Sequence, residues 1–438
     1  MDNSFFRNIK SFLFYFILVY MLNKNLWDFL SGQLMKYVYY LVLFGGAICG
    51  LYSIMRDRTT IPVVLFFSLY LCVIVFNAFT ISNGDQRPVG LTEYLVYPLV
   101  FFAMVFYMDP RERYSGAPVY YMIWGGYTSL LALLEYFLKT PILPDAATRI
   151  YVFYDGSTAY RAVVFIGSPI ILGLLLGGVL VCAIYYYSFK KRRIALIIIL
   201  LSIIGILCTG SRAPLVSSVF GILMMFFLQE RNSGVSTKVV LCFLLVFVIF
   251  LVVILVFSFS PNLKTGISFH DNIISRFGST FDRTEWGNKE RLIRWAFYLN
   301  QFTKKPVTGY GVASTSAEVL SNKNVTSHGI TTESGVIGRL VETGLIGTIF
   351  FYAFLISLLI VSLGKLRKYA IYQISNVYYL VLGIVVLFII DDFALQVSLD
   401  IFGNFMLWFF IAYGYNYLCF LDCRFKKRNS RIIEVQDD

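Results

Sequence analysis

Apolar and polar positions along this chain fall in long blocks, not at the periods of about 3.6 or 2 residues that mark half-buried helices and strands. Runs of roughly 17–25 mostly apolar residues, enough to cross a bilayer as a helix, lie at about 9–29, 35–55, 60–80, 90–108, 116–138, 162–187, 194–210, 213–229, 238–259, 335–363, 372–392 and 401–421. The pattern predicts an all-α polytopic membrane protein of about twelve transmembrane helices, forming one transmembrane domain over 1–438. The first run is the weakest, because Asn23, Lys24, Asn25 and Asp28 interrupt it. Arg7 and Lys10 precede that run and no small-residue cleavage site follows, so it reads as an uncleaved span.

Two polar intervals break the blocks. The first, 139–161, mixes Pro141, Pro144, Asp145, Arg149 and Asp155 with aromatics. The second, 260–334, is far longer than an ordinary connection and is expected to carry structure and purpose. Within it, Glu290 to Lys305 predicts an amphipathic helix, with Leu292, Trp295, Ala296, Leu299 and Phe302 at spacings of three and four. Pro306 lies just past its end and Gly309-Tyr-Gly311 predicts a turn.

Composition agrees: 438 residues are 58% hydrophobic and 14% charged, with a mean hydropathy of +0.72, which excludes a soluble domain. The net charge of +12 would suit a nucleic-acid partner, but its distribution points elsewhere. Alternate loops hold 20 Lys and Arg on one side and 7 in the short loops of the other. Positive loops stay inside, so both termini are expected in the cytoplasm and both large loops outside. The seven cysteines lie in or beside apolar runs and none is in the long loop. Neither disulfides nor a zinc site is expected.

The candidate chemistry gathers at ionisable groups near the apolar boundaries, where charge is expensive and tends to be functional or paired. Arg212 sits in Thr209-Gly-Ser-Arg-Ala-Pro214, a break too short for a loop, where a guanidinium fork could clamp an anion or reach headgroups. Arg161 closes the first outer loop, and Arg291 and Arg294 share the amphipathic helix. Glu333 stands where the long loop meets a span, either as a base or as a first-turn acid with Thr331 or Thr332 as cap. Arg339 and Glu342, three apart inside that span, are expected to neutralise one another. His328 is loop material, and Asp391-Asp392 is a weak candidate for a cation. No metal site or cofactor is expected.

These features, in this order, resemble the bacterial O-antigen ligase and Wzy-type polysaccharide polymerase superfamily. The resemblance lies in Arg161 with Gly167-Ser-Pro169 behind it and in Ser211-Arg212 at an outer break. It continues through Arg291, Trp295-Ala-Phe297, Pro306 and Gly309-Tyr-Gly311, which ranks Arg291 above Arg294. Ligases of the group resemble one another in a His, then Asn, Ser or Gln, nine residues and Gly-x-x-Gly. Here Gly344-Leu-Ile-Gly347 and Ser334 keep that register, but Glu333 stands at the histidine's place and His328 lies five positions too early. The departure leans toward a polymerase.

The resemblance implies a GT-C-like membrane enzyme performing metal-independent, inverting glycosyl transfer at the outer face of a bacterial inner membrane. The donor would be a glycan on undecaprenyl pyrophosphate. The acceptor would be a lipid-linked repeat unit for a polymerase building O-antigen or capsule, or lipid A core for a ligase. A chain-length regulator and a flippase would be further partners. Glu333 would act as base or acceptor-orienting group, with Arg161, Arg212, Arg291, Arg294 and His328 on the pyrophosphate or glycan. A transporter of lipid-linked oligosaccharide is the alternative of another class; no paired broken-helix repeat supports it.

Overall fold

Among the described residues of the computed structural model, six helices are long and apolar enough to cross a membrane: Phe5–Leu22, Leu34–Met55, Ile61–Thr80, Gln86–Tyr107, Pro169–Lys190 and Gly335–Val361. The structure describes residues 3–32, 34–56, 60–108, 116–143, 150–152, 158–190, 192–233, 286–316, 332–369, 376–394 and 400–436. Shorter apolar helices at Ile194–Thr209 and Ala213–Phe227 pack beside them, as do Gly116–Leu138, Asn376–Ala394 and Ile401–Gln436. This is a helical, polytopic membrane architecture. The expected span at 238–259 lies outside the described residues, as does most of the 260–334 loop.

Packing follows membrane logic, in which small residues let backbones approach. Helix Ala213–Ser233 runs against Asn376–Ala394, and a Cβ on Gly221 would stand 2.5 Å from the Gly383 carbonyl oxygen. Large aromatics fill the centre. Trp408, fully buried, stacks on Phe354 at 5.2 Å between centroids, and Phe354 in turn meets Phe67 at 5.2 Å.

Four sequence expectations change in detail. The first run is two helices, Asn3–Leu22 and Lys24–Ser31, broken at Asn23, whose side-chain amide donates back to the Val19 carbonyl at 2.9 Å. The run at 162–187 begins its helix only at Pro169; residues 162–166 are buried but not helical. The 139–161 loop holds a short antiparallel ribbon, Ile150–Val152 with Thr158–Tyr160, on an otherwise helical fold. Finally, the loop helix exists as Trp286–Lys304, but its apolar stripe is split. Trp295, Tyr298 and Phe302 turn inward while Leu292, Ala296 and Leu299 are exposed.

Candidate active site

Ser334, not Thr331 or Thr332, caps the helix Gly335–Tyr369: its carbonyl accepts from Gly338 N at 2.9 Å and its hydroxyl from Ile337 N at 3.4 Å. Thr332 braces the cap by donating its hydroxyl to the Ser334 carbonyl at 2.8 Å; Thr331 is outside the described residues. Glu333 therefore precedes the helix, where it is no first-turn acid. Its φ of 52° places it in the left-handed region that non-glycine residues rarely occupy and that clusters at functional sites.

That turn aims the Glu333 carboxylate at the loop helix. Arg291 Nε donates to Oε2 at 3.0 Å and Arg294 Nη1 to Oε1 at 2.6 Å. Arg294 also donates through Nη2 to Glu290, one turn back. The three side chains are only partly exposed, so each oxygen of Glu333 has a charged donor in a partly dry setting. A carboxylate neutralised by two guanidinium groups is a poor cation ligand and a good marker of where an anion can sit. Beneath it, Tyr298 is 6% exposed, and burial, with the charge of Glu342, pushes its phenol up to about 12.

The loop helix is held in register by a break in the span. At Gly344 (φ 67°, ψ −170°) the helix Gly335–Tyr369 kinks, and the chain after Pro306 hydrogen-bonds along the break. Tyr310 N donates to the Val341 carbonyl at 2.8 Å, Gly311 N to that of Glu342 at 3.0 Å, and Leu345 N to that of Pro306 at 2.8 Å. A Cβ on Gly344 would lie 2.2 Å from the Val307 carbonyl oxygen, and one on Gly309 2.5 Å from that of Glu342. Both glycines thus permit a backbone approach no larger residue allows. The Gly-x-Gly turn and the Gly-x-x-Gly segment, separate in sequence, are two halves of one joint.

Glu342 closes that joint from inside and does not pair with Arg339. Fully buried, it accepts Thr315 N at 2.8 Å and the Thr315 hydroxyl at 2.5 Å on Oε1. Its Oε2 accepts Ala313 N at 3.0 Å and the Tyr94 hydroxyl at 2.6 Å. Asn77 adds a second tie, donating to the Thr308 carbonyl at 2.8 Å and accepting Val312 N at 2.7 Å. Arg339, 1% exposed, lies over the Phe351 ring at 3.5 Å and near Tyr94 at 5.1 Å. The expected neutralisation fails because Glu342 is taken up by better-aimed donors on other elements, while Arg339 lies over Phe351, beyond the kink of its own helix, and near Tyr94.

The other two arginines meet at a second cluster. Gly210 (φ 61°) ends the helix Ile194–Thr209 in a left-handed cap. Arg161 braces that turn, donating through Nε to the Thr209 carbonyl at 2.8 Å and through Nη2 to Ser211 Oγ at 2.9 Å. Ser211 Oγ donates onward to the Pro169 carbonyl at 3.2 Å, and Arg212 follows directly, half-buried. Beneath Arg161, Glu135 is 1% exposed. It accepts Val163 N at 3.1 Å, Val164 N at 2.5 Å and the Tyr160 hydroxyl at 3.1 Å. Burial and the neighbouring Glu135 charge push the Tyr160 phenol well above its ordinary range.

Arg291, Arg294 and Glu333 thus come together, as do Arg161 and the Ser211-Arg212 turn, on different elements. His328 lies outside the described residues. Asp391 and Asp392 are buried near the end of Asn376–Ala394. Glu135, Asn77, Tyr94 and Thr315 were missed by sequence reasoning. Only Glu135, an acid inside an apolar run, gave a signal.

Comparison with known proteins adds one finding. No curated protein matches the chain. Residues 197–352 match the family model described as O-Antigen ligase, a stretch that holds Arg212, the loop helix, the Gly-x-Gly joint and Glu333. The match covers about a third of a multi-pass helical chain, and over that stretch the protein is similar to the O-antigen ligase family.

Proposed function

We propose that the protein is a polysaccharide polymerase that joins polyprenyl-pyrophosphate-linked repeat units at the outer face of the bacterial inner membrane. In this reading the chain has about twelve spans, cytoplasmic termini and its 139–161 and 260–334 loops outside. The observation that carries it is Glu333 held between Arg291 and Arg294, inside the stretch that matches the family. A carboxylate can take a hydroxyl proton, and guanidinium groups can stabilise a pyrophosphate leaving group in place of a metal ion.

The step balances as follows. Glu333 removes the proton of the acceptor hydroxyl, whose oxygen attacks the anomeric carbon of the donor glycan. The bond from that carbon to the phosphate oxygen breaks on the opposite face, inverting the centre, and the electron pair leaves on the polyprenyl pyrophosphate. In the resting geometry both Glu333 oxygens are engaged by arginines, so neither faces an acceptor hydroxyl. An incoming pyrophosphate competes for the same guanidinium groups. Its binding frees the Glu333 oxygens for the acceptor hydroxyl, so the proton transfer is tied to donor binding. Arg212, on the turn braced by Arg161, is a further anion-binding group in this reading, and His328 contacts glycan.

Transfer to lipid A core, the ligase reaction, is the second reading, favoured by the description of the matched family. Glu333 at the ligase histidine's position favours polymerisation. The test is purified protein in detergent with a lipid-linked repeat unit as sole substrate. A ladder of longer lipid-linked glycans is expected. A product only when lipid A core is added supports the ligase, and unchanged substrate under both conditions refutes glycosyl transfer.

A further inference from the structure

The helix Trp286–Lys304 is inside out for a water-exposed loop. Its inward face carries Arg291 and Arg294, both engaged with Glu333, together with Trp295 and the buried Tyr298. Its outward face carries Leu292 (54% exposed), Ile293 (58%), Phe297 (37%) and Leu299 (43%), with Ala296 among them and the polar Asn300 one turn on toward the helix end. At the two ends of that same face stand the exposed Lys289 and Lys304. Its one described acid beyond the helix start, Glu290, points to Arg294. A charged inner face and an apolar outer face flanked by lysines describe a helix lying in a headgroup layer, apolar side toward the acyl chains.

Continuity with the membrane-facing surface selects lipid as the occupant. Just past the helix, Val307 is exposed and its carbonyl accepts Ile346 N at 3.4 Å, next to the Leu345 N to Pro306 bond. Leu345, Ile346 and Ile349 are the exposed apolar residues of the span on that side. The lipid-facing surface of Gly335–Val361 therefore runs through Val307 toward the outer face of the loop helix.

We propose that the helix Trp286–Lys304 lies on the membrane surface, with Leu292, Ile293, Phe297 and Leu299 in lipid and Lys289 and Lys304 on anionic headgroups. This holds Arg291 and Arg294 at the depth of lipid phosphates, whatever reaction the site performs. The test uses the full chain in nanodiscs of phosphatidylethanolamine and phosphatidylglycerol, with the fluorescent amino acid dansylalanine at Phe297 or, in a second protein, at Ile293. With a face about 5–10 Å into the boundary, lipid bearing a nitroxide high on its acyl chain should quench the emission, and aqueous iodide should change it little. Quenching by iodide instead would overturn the proposal, leaving the face in water. Quenching by neither would also overturn it, showing the face covered by protein. The readout needs no activity, so it stands or falls apart from the glycosyl-transfer reading.

Discussion

Replacing Glu342 by Gln tests the joint that holds the loop helix over the span. The substitution keeps shape and volume but turns one oxygen into an NH2 group. Whichever oxygen is lost, a backbone donor faces the new one: Thr315 N, now at 2.8 Å from Oε1, or Ala313 N, at 3.0 Å from Oε2. The Thr315 and Tyr94 hydroxyls can rotate to accept, but a backbone N–H cannot. One orphaned buried donor costs about 1–3 kcal/mol. Glu342→Ala orphans both backbone donors and empties the site, so roughly 3–5 kcal/mol is expected. The scale is about 2–4 °C per kcal/mol for domains of 150–250 residues and less for longer chains. Thermal unfolding in detergent should therefore show Gln lower by several degrees and Ala clearly lower still. A Gln variant as stable as the parent would refute the four-donor cradle.

Glu135→Ala should weaken the 160–164 segment and, through Arg161, the Arg212 turn. Purified enzyme should then show a raised donor KM, with Glu135→Gln in between because it keeps one acceptor. Gly344→Ala meets the Val307 carbonyl and a backbone region almost closed to alanine, so little folded protein should be recovered from membranes. Arg294→Ala removes contacts to both Glu333 and Glu290 and should lower thermal stability more than Arg291→Ala, while both reduce activity in the same glycan assay.

The apolar blocks were legible because crossing a bilayer demands length and composition, and both can be counted along a chain. Their ends were less so. The helix after Arg161 starts at Pro169 because Glu135, from the helix Gly116–Leu138, satisfies the backbone donors of 163 and 164 and so allows an irregular buried stretch. Glu333 was singled out by motif order and by its place at an element boundary, and Arg291 and Arg294 by their helix and its motif; the pairing between them was not legible, because it joins elements 39 and 42 residues apart. Glu342 was misassigned because i,i+3 spacing shows which partner is near, not which is better aimed. Its true partners, Tyr94 and Thr315, are brought to it only by folding. The loop helix was found by its period, yet its apolar stripe is split, because Arg291 and Arg294 turn toward Glu333 and take part of the inward face.

The most direct test of the account is complementation, in a strain lacking this gene, by Glu333→Gly beside Glu333→Gln. Glycine suits the backbone at 333, where φ is 52°, so the turn should survive while the carboxylate is removed. With both variants present in the membrane at parental levels, the account predicts that surface glycan collapses to single repeat units. Long glycan made by Glu333→Gly would contradict it, and would reduce Glu333 to a turn residue paired with two arginines.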